Sequence, residues 1–289
     1  MKYTKLISLV NKILDQYSIP LTLRQIYYRL VADYGLPNKR SSYNQLSRQL
    51  VKAREKGEIN ENRIEDRTRE FLGGENGFGS VQSFIDIVKS HFLGYWENYE
   101  RNLWTSQQKF VVVCLEKDAL SRVIAAAADE YRVITAPSKG YASYTYIKEA
   151  IDRMPNNKPT VILHFSDHDP SGLDLTRDLK DRFDRYTLKP VTIERIALTF
   201  SQVKDYALVP NPTKLSDTRS SQYIAEYGRE CWELDAIDPN ELQILVKDSI
   251  ENHLDLDKWK KDLLLEAEER EQLRGRFSQW SELLTDVSE

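Results

Sequence analysis

Cysteine is scarce in this chain of 289 residues, which holds only Cys114 and Cys231. They lie far apart, without a Cys-x-x-Cys spacing. That excludes a disulfide framework and argues against a structural zinc site. No apolar run is long enough to span a bilayer, and the start lacks the charged, apolar, then small-residue order of a secretory leader. No internal repeat or low-complexity tract is evident. The expectation is a soluble, cytoplasmic protein with no membrane partner. Positive charge is not in excess either: the net charge is −4, a balance that by itself argues against nucleic acid.

The distribution of charge reverses that last reading. From Leu21 to Gly57 there are eight basic residues against two acidic ones, a window of +6 that leaves the remainder at −10. A basic module on an acidic body is the charge pattern of a DNA-binding enzyme. Residues 1–72 read as helical. Leu6, Ile7, Val10, Ile13, Leu14 and Tyr17 fall at helical spacing. Thr22 with Gln25 forms a capping box, so a second helix starts at Leu23 and stops at Gly35. Ser42 with Gln45 repeats the device, and Gly57 ends a third helix. This is the outline of a winged helix-turn-helix, with double-stranded DNA as its partner. Arg29, Lys39, Arg40, Arg48, Lys52 and Lys56 are the candidate DNA contacts; a helical bundle with a solvated basic face is the alternative.

A second domain is expected after a linker and helical connector over 73–108. Gly73-Gly-Glu-Asn-Gly-Phe-Gly-Ser80 has hinge composition, and the helix after it (Val81 to about Trp104) would bury Phe84, Ile85, Val88, Phe92 and Trp96. Over 109–235 strands alternate with helices. Strands are expected at 109–116, 131–136, 160–167 and 191–198, with helices at 118–128, 142–154, 172–184 and 201–207. That rhythm predicts an α/β fold, a parallel sheet with helices on both faces. Residues 236–289 form a helical C-terminal segment, with Pro239 at a helix start and an amphipathic stretch from about Asp257.

Two of the strands end in carboxylates: Phe110-Val-Val-Val-Cys-Leu-Glu116, and Val161-Ile-Leu-His-Phe-Ser-Asp-His-Asp169. In open α/β sheets the ligand crevice lies beyond the carboxyl ends of the strands, where strand order reverses. Glu116, Asp167 and Asp169 brought to one crevice repel each other unless a cation lies among them, and all-oxygen ligands suit Mg2+, with Mn2+ as a substitute. Helix capping by Asp167 or Asp169 is the alternative, but capping needs only one of them and leaves Glu116 unexplained. His164 and His168 share no helical face, which makes a zinc pair improbable.

On a wheel of about 100° per residue, Leu23, Ile26, Tyr27, Leu30, Val31 and Tyr34 form one apolar stripe, and Tyr28 lies roughly 130° from its centre. Tyr28 is therefore placed on the polar face, one turn after Arg24 and beside Arg29. A free phenol has a pKa of about 10 and is ionised in about one molecule in a thousand at neutral pH. Neighbouring arginines favour the phenolate and can hold a phosphate. A nucleophile and an unreactive phosphate contact are equally compatible with the wheel.

Glu116-Lys-Asp, the turn Lys139-Gly-Tyr141 and Asp167-His-Asp-Pro-Ser-Gly172 together resemble the Toprim domain of the topoisomerase VI A subunit and the meiotic double-strand-break transesterases. Arg24-Gln-Ile-Tyr27-Tyr28 is similar to the motif around that family's catalytic tyrosine, and Trp232-Glu-Leu-Asp-Ala-Ile237 to a segment after its Toprim core. The resemblance runs from about Leu21 to Leu245. It implies Tyr28 as the nucleophile of a 5′-phosphotyrosyl bond, assisted by Arg24 and Glu116, with magnesium on Glu116, Asp167 and Asp169. It also implies a homodimer in which the tyrosine of one protomer meets the metal site of the other. The resemblance is closest in outline to compact "mini-A" relatives found on mobile elements, shorter than a full A subunit and without the segment that engages the ATPase B subunit. No B-like partner is evident from the sequence, and strand passage is not implied. A hydrolytic Toprim nuclease of a defence or mobile-element system is the nearest rival; a non-enzymatic DNA-binding factor is the third reading.

Overall fold

The computed structural model describes residues 2–65, 77–138 and 140–285. Residues 73–76 of the expected hinge and Lys139 of the expected turn lie outside the described residues. The chain divides into two compact units, one drawn from 1–68 and 109–253, the other from 69–108 and 254–289.

The first unit opens with α1 (Tyr3–Leu14), whose Leu6, Ile7, Val10, Ile13 and Leu14 are buried along one stripe. β1 (Leu21–Thr22) leads into α2 (Leu23–Tyr34). The Thr22 hydroxyl accepts from the Gln25 amide at 3.2 Å while the Thr22 amide donates to Gln25 Oε1 at 2.8 Å, the expected capping box. Gly35, at φ 64°, ends the helix in the left-handed region that favours glycine. α3 (Arg40–Glu55) differs at its start: the helix already runs through Ser42 and Gln45, so no second box forms, and Lys39 at its N-cap makes no side-chain cap. β2 (Ile64–Glu65) pairs in parallel with β1. Three helices and this short strand pair are what the described residues of the region show. They enclose a core of Val10, Ile13, Leu21, Ile26, Leu30, Leu46 and Leu50, each such burial contributing roughly 1.5–3 kcal/mol.

The chain then leaves for α4 (Val81–Gly94) in the second unit and returns with β3 (Phe110–Leu115), α5 (Ser121–Asp129), β4 (Ile134–Pro137), α6 (Tyr144–Arg153), β5 (Thr160–Phe165), α7 (Pro170–Tyr186) and β6 (Val191–Ala197). The four strands form a wholly parallel sheet in the order β4-β3-β5-β6. All of β5 is buried, as the uninterrupted apolar run requires of a strand covered on both faces. One face carries α6 and α7, with Cys114, Ile147, Ile151, Ile162, Leu179 and Phe183 in a common cluster; α5 packs with α10 (Pro239–Glu251). From β3 the chain goes to β4 on one side and then crosses back to β5 on the other. The strand order therefore reverses beside β3, and the crevice lies beyond the ends of β3 and β5. Between β6 and α10 come α8 (Phe200–Asp205), β7 (Asn211–Pro212), α9 (Ser220–Tyr227) and β8 (Glu230–Cys231), with β7 and β8 antiparallel.

In the second unit α4 stops at Gly94, giving way to a short 3-10 turn over Tyr95–Asn98, well before the expected Trp104. Its expected buried side is not buried: Phe84, Ile85, Val88 and Phe92 are 40–48 % exposed. Helical spacing identified the apolar stripe correctly, but spacing does not supply a covering element. Among the described residues α4 meets α11 (Leu256–Thr285) where Phe92 packs on Phe277 and Trp280, with ring centroids 5.3 and 6.1 Å away. No helix among the described residues is long and apolar enough to cross a membrane.

Candidate active site

The site begins with the two adjacent strand ends. The Glu116 amide donates to the Phe165 carbonyl at 3.0 Å, continuing the β3–β5 ladder one residue past the end of β3. Glu116 and Asp167 thereby emerge side by side, and the Asp167 amide reaches Glu116 Oε2 at 3.4 Å. Asp169 is the N-cap of α7, its Oδ1 accepting from the Gly172 amide at 2.7 Å. Its negative charge also suits that helix end. The loop is tied from beneath by Arg195 of β6. Its buried guanidinium donates to the Asp167 carbonyl at 2.7 Å, the Gly172 carbonyl at 2.8 Å and the Ser166 hydroxyl at 2.7 Å. Burial presses Arg195 down to about 10 although Glu116, Asp167 and Asp169 oppose that shift. His164 and His168 take separate partners, Thr176 at 2.9 Å and Tyr223 at 2.8 Å.

A backbone bridge brings up a further set of acids. The His168 amide donates to the Trp232 carbonyl at 2.8 Å, and the Trp232 amide donates to the His168 carbonyl at 2.9 Å. This lays residues 232–235 along the acidic loop, where the Leu234 amide donates to Asp167 Oδ1 at 2.8 Å. Glu233 and Asp235 arrive beside Lys117. The Lys117 ammonium lies 2.7 Å from Asp167 Oδ2, 3.2 Å from Asp235 Oδ2 and 3.4 Å from Glu233 Oε2. Burial works against its charge, but Asp235, Asp167 and Glu233 outweigh that and hold it above the usual lysine range.

Sequence reading places Tyr28 on a polar face, and the structure corrects this: Tyr28 is 4 % exposed. A helical wheel registers one covered side, whereas α2 is covered on two. Tyr27 faces α3, edge-on to Tyr43. The opposite side packs under the 208–238 segment, with Leu208 and Ala236 joining the same core. Asn211 of β7 donates to the Tyr28 hydroxyl at 2.8 Å. Burial, and then Glu233, push the Tyr28 phenol above its ordinary value against the Asn211 hydrogen bond and Arg24. Arg24, one turn earlier, pairs with Glu233 at 2.7 Å.

The expected DNA contacts divide. Lys39, Arg40, Arg48, Lys52 and Lys56 are exposed, with Lys52 and Lys56 over the Tyr3 ring at 5.4 and 5.5 Å. Arg29 is turned inward, its guanidinium engaged by Asp238 at 3.2 Å and the Ala236 carbonyl at 2.8 Å. It holds α2 to the 236–238 segment.

No protein-family model matches the chain, and no curated protein matches it.

Burial, then Asp167 and Asp169, raise Glu116 to about 7 against Lys117, the response of a carboxylate to desolvation with like charges beside it. Glu116 Oε1 and Asp169 Oδ2 have no protein partner among the described residues, whereas both oxygens of Asp167 are taken, by Leu234 and Lys117. No group of three or more His, Cys, Asp or Glu among the described residues is gathered to hold a metal ion. The two unpartnered oxygens, on Glu116 and Asp169, are of the donor type that a hard divalent cation takes, but Asp167, the third expected ligand, is tied to Lys117. Sequence reasoning missed Lys117, Glu233, Asp235, Arg195 and Asn211. The signal for Lys117 was adjacency to Glu116; the others come from segments whose partners are distant in sequence.

Proposed function

We propose that this protein is a magnesium-dependent DNA-cleaving transesterase of topoisomerase VI A type, with Tyr28 as nucleophile and double-stranded DNA as substrate. A homodimer supplies two such sites, each here built from the tyrosine helix and the acids of one chain and not across two protomers as the resemblance implies, and the N-terminal helices act as a winged helix-turn-helix on a Toprim core. The observation that carries this is a continuous chain of ion pairs: Arg24 to Glu233, Glu233 to Lys117, Lys117 to Asp167. The helix bearing the tyrosine and the strand ends bearing the acids thereby belong to one polar system rather than to two unrelated surfaces.

The chemistry follows from the residues. The Tyr28 oxygen gives up its proton to solvent and attacks phosphorus, the P–O bond to the DNA 3′-oxygen breaks, that oxygen takes a proton to leave as a 3′-hydroxyl, and the protein keeps the 5′-phosphate as a phosphotyrosyl ester. One phosphoester replaces another, so the step is reversible and needs no ATP. Asn211, donating to the phenol oxygen, stabilises the charge that develops on it before attack; Arg24 does so through space. A divalent ion on Glu116 and Asp169 would neutralise phosphate charge. The exposed basic face of α3 gives sequence-indifferent affinity for the DNA backbone.

A second reading is a hydrolytic Toprim nuclease in which Tyr28 never reacts; the burial of that phenol favours it. The two separate in one assay. Supercoiled plasmid is incubated with protein and magnesium or manganese, denatured, and run with and without protease. The transesterase reading predicts ends that enter the gel only after proteolysis and no cleavage in EDTA. Ends that enter the gel without proteolysis, formed only in the presence of the metal, would establish hydrolysis.

A further inference from the structure

Glu233 is a carboxylate held between two cations at the place where a DNA phosphate would be needed. Its Oε2 lies 2.7 Å from Arg24 and 3.4 Å from Lys117, and its charge is felt by the Tyr28 phenol. The two cations differ in what they keep if Glu233 leaves. Lys117 retains Asp167 and Asp235, at 2.7 and 3.2 Å. Arg24 has Glu233 as its ion partner among the described residues, and its side chain is 41 % exposed. Glu233 itself is 23 % exposed, whereas Asp235 is fully buried. Glu233 is therefore the acid of this cluster that an incoming anion can displace, and Arg24 is the group set free.

We propose that Glu233 is a built-in phosphate mimic: it occupies a phosphodiester subsite formed by Arg24 and Lys117 beside Tyr28, and DNA must displace it. This rests on the reading that the backbone of DNA binds at this site, and it adds a gate to it. Carboxylate and phosphate offer a guanidinium the same forked acceptor geometry, and Arg binds both in bidentate fashion. Exchange of Glu233 for phosphate therefore costs Arg24 nothing in coordination. In the absence of DNA the closed arrangement keeps Arg24 paired with Glu233.

The test is binding, measured without cleavage. Fluorescence anisotropy of a labelled blunt duplex is followed in EDTA across a salt series for wild type, Glu233→Gln and Glu233→Ala. Glu233→Gln is expected to bind about tenfold tighter near 0.1 M salt, with a log–log salt slope steeper by about one, the signature of one more phosphate contact. Glu230→Gln, removing a nearby exposed carboxylate, serves as the control and should shift binding by less than about twofold. In the Arg24→Gln background the Glu233→Gln gain should vanish, a coupling read directly from the double-mutant cycle. Glu233→Asp keeps the charge on a shorter stem and should fall between wild type and Glu233→Gln. Affinity unchanged or weaker in Glu233→Gln, with an unchanged melting curve, overturns the proposal, as does a gain that survives in the Arg24→Gln background. The arms are independent: if no variant forms a covalent adduct, the transesterase reading fails while the anisotropy series still decides the gate.

Discussion

Tyr28→Phe is expected to leave the fold standing and to reduce DNA cleavage by at least about a thousandfold, the loss of a covalent nucleophile. The ring keeps its place in the α2 core, edge-on to Tyr27 at 5.6 Å, so packing is preserved. What disappears is the hydroxyl that accepts from Asn211 at 2.8 Å. Leaving that amide unpaired costs about 1–2 kcal/mol of stability, a small shift in melting temperature that is separable from activity. A hydrolytic nuclease behaves differently. There the phenol only packs, and Tyr28→Phe should keep cutting within a few-fold of wild type. Activity and a melting curve on the same preparation decide between them.

Gly172→Ala is expected to be the most damaging single methyl group in the acidic loop. A Cβ at this position would lie 2.2 Å from the Asp167 carbonyl oxygen and 3.0 Å from its carbonyl carbon. Those are backbone atoms, and Arg195 pins them in place. The first turn of α7 must move away or Asp167 must, and either displaces Asp169 from its cap. Overpacking of this kind costs about 3 kcal/mol, roughly 10 °C in melting temperature for a unit of this size. Cleavage should be lost with it, by at least about a hundredfold, because a misplacement of about 1 Å is enough. Thermal melting and the plasmid assay check both; a variant that melts and cuts like wild type would contradict the close approach of α7 to the acidic loop.

Much of the architecture was legible in the sequence. The β3 and β5 runs are β-branched, apolar and short, and they end in acids because the next residues cap a helix or turn into the crevice. Thr22, Gln25 and Gly35 fix both ends of α2 by local hydrogen bonds and φ, which a sequence carries explicitly. The misreadings share one cause, that local patterns do not name distant neighbours. Tyr28 lies off the stripe of α2, yet the 208–238 segment covers that side. Arg29 belongs to the basic window but is turned inward by Asp238. The apolar spacing of α4 predicted a buried side, but Phe84, Ile85 and Val88 stay 47–48 % exposed. Ser42 and Gln45 have the right spacing for a cap, though α3 starts before them. Lys117 and Glu233 lie in no periodic element, and their role emerges only when the His168–Trp232 bridge lays the two loops side by side.

The central claim is that the Tyr28 oxygen becomes bonded to DNA. Its most direct test is mass spectrometry of the protein recovered from a denatured cleavage reaction, after trypsin and nuclease digestion. The expected result is a nucleotide attached through its 5′-phosphate to the peptide Gln25–Arg29, with fragmentation placing it on Tyr28 and not on Tyr27. An unmodified peptide from a reaction in which the plasmid has been cut, or an adduct on any other residue, would contradict it.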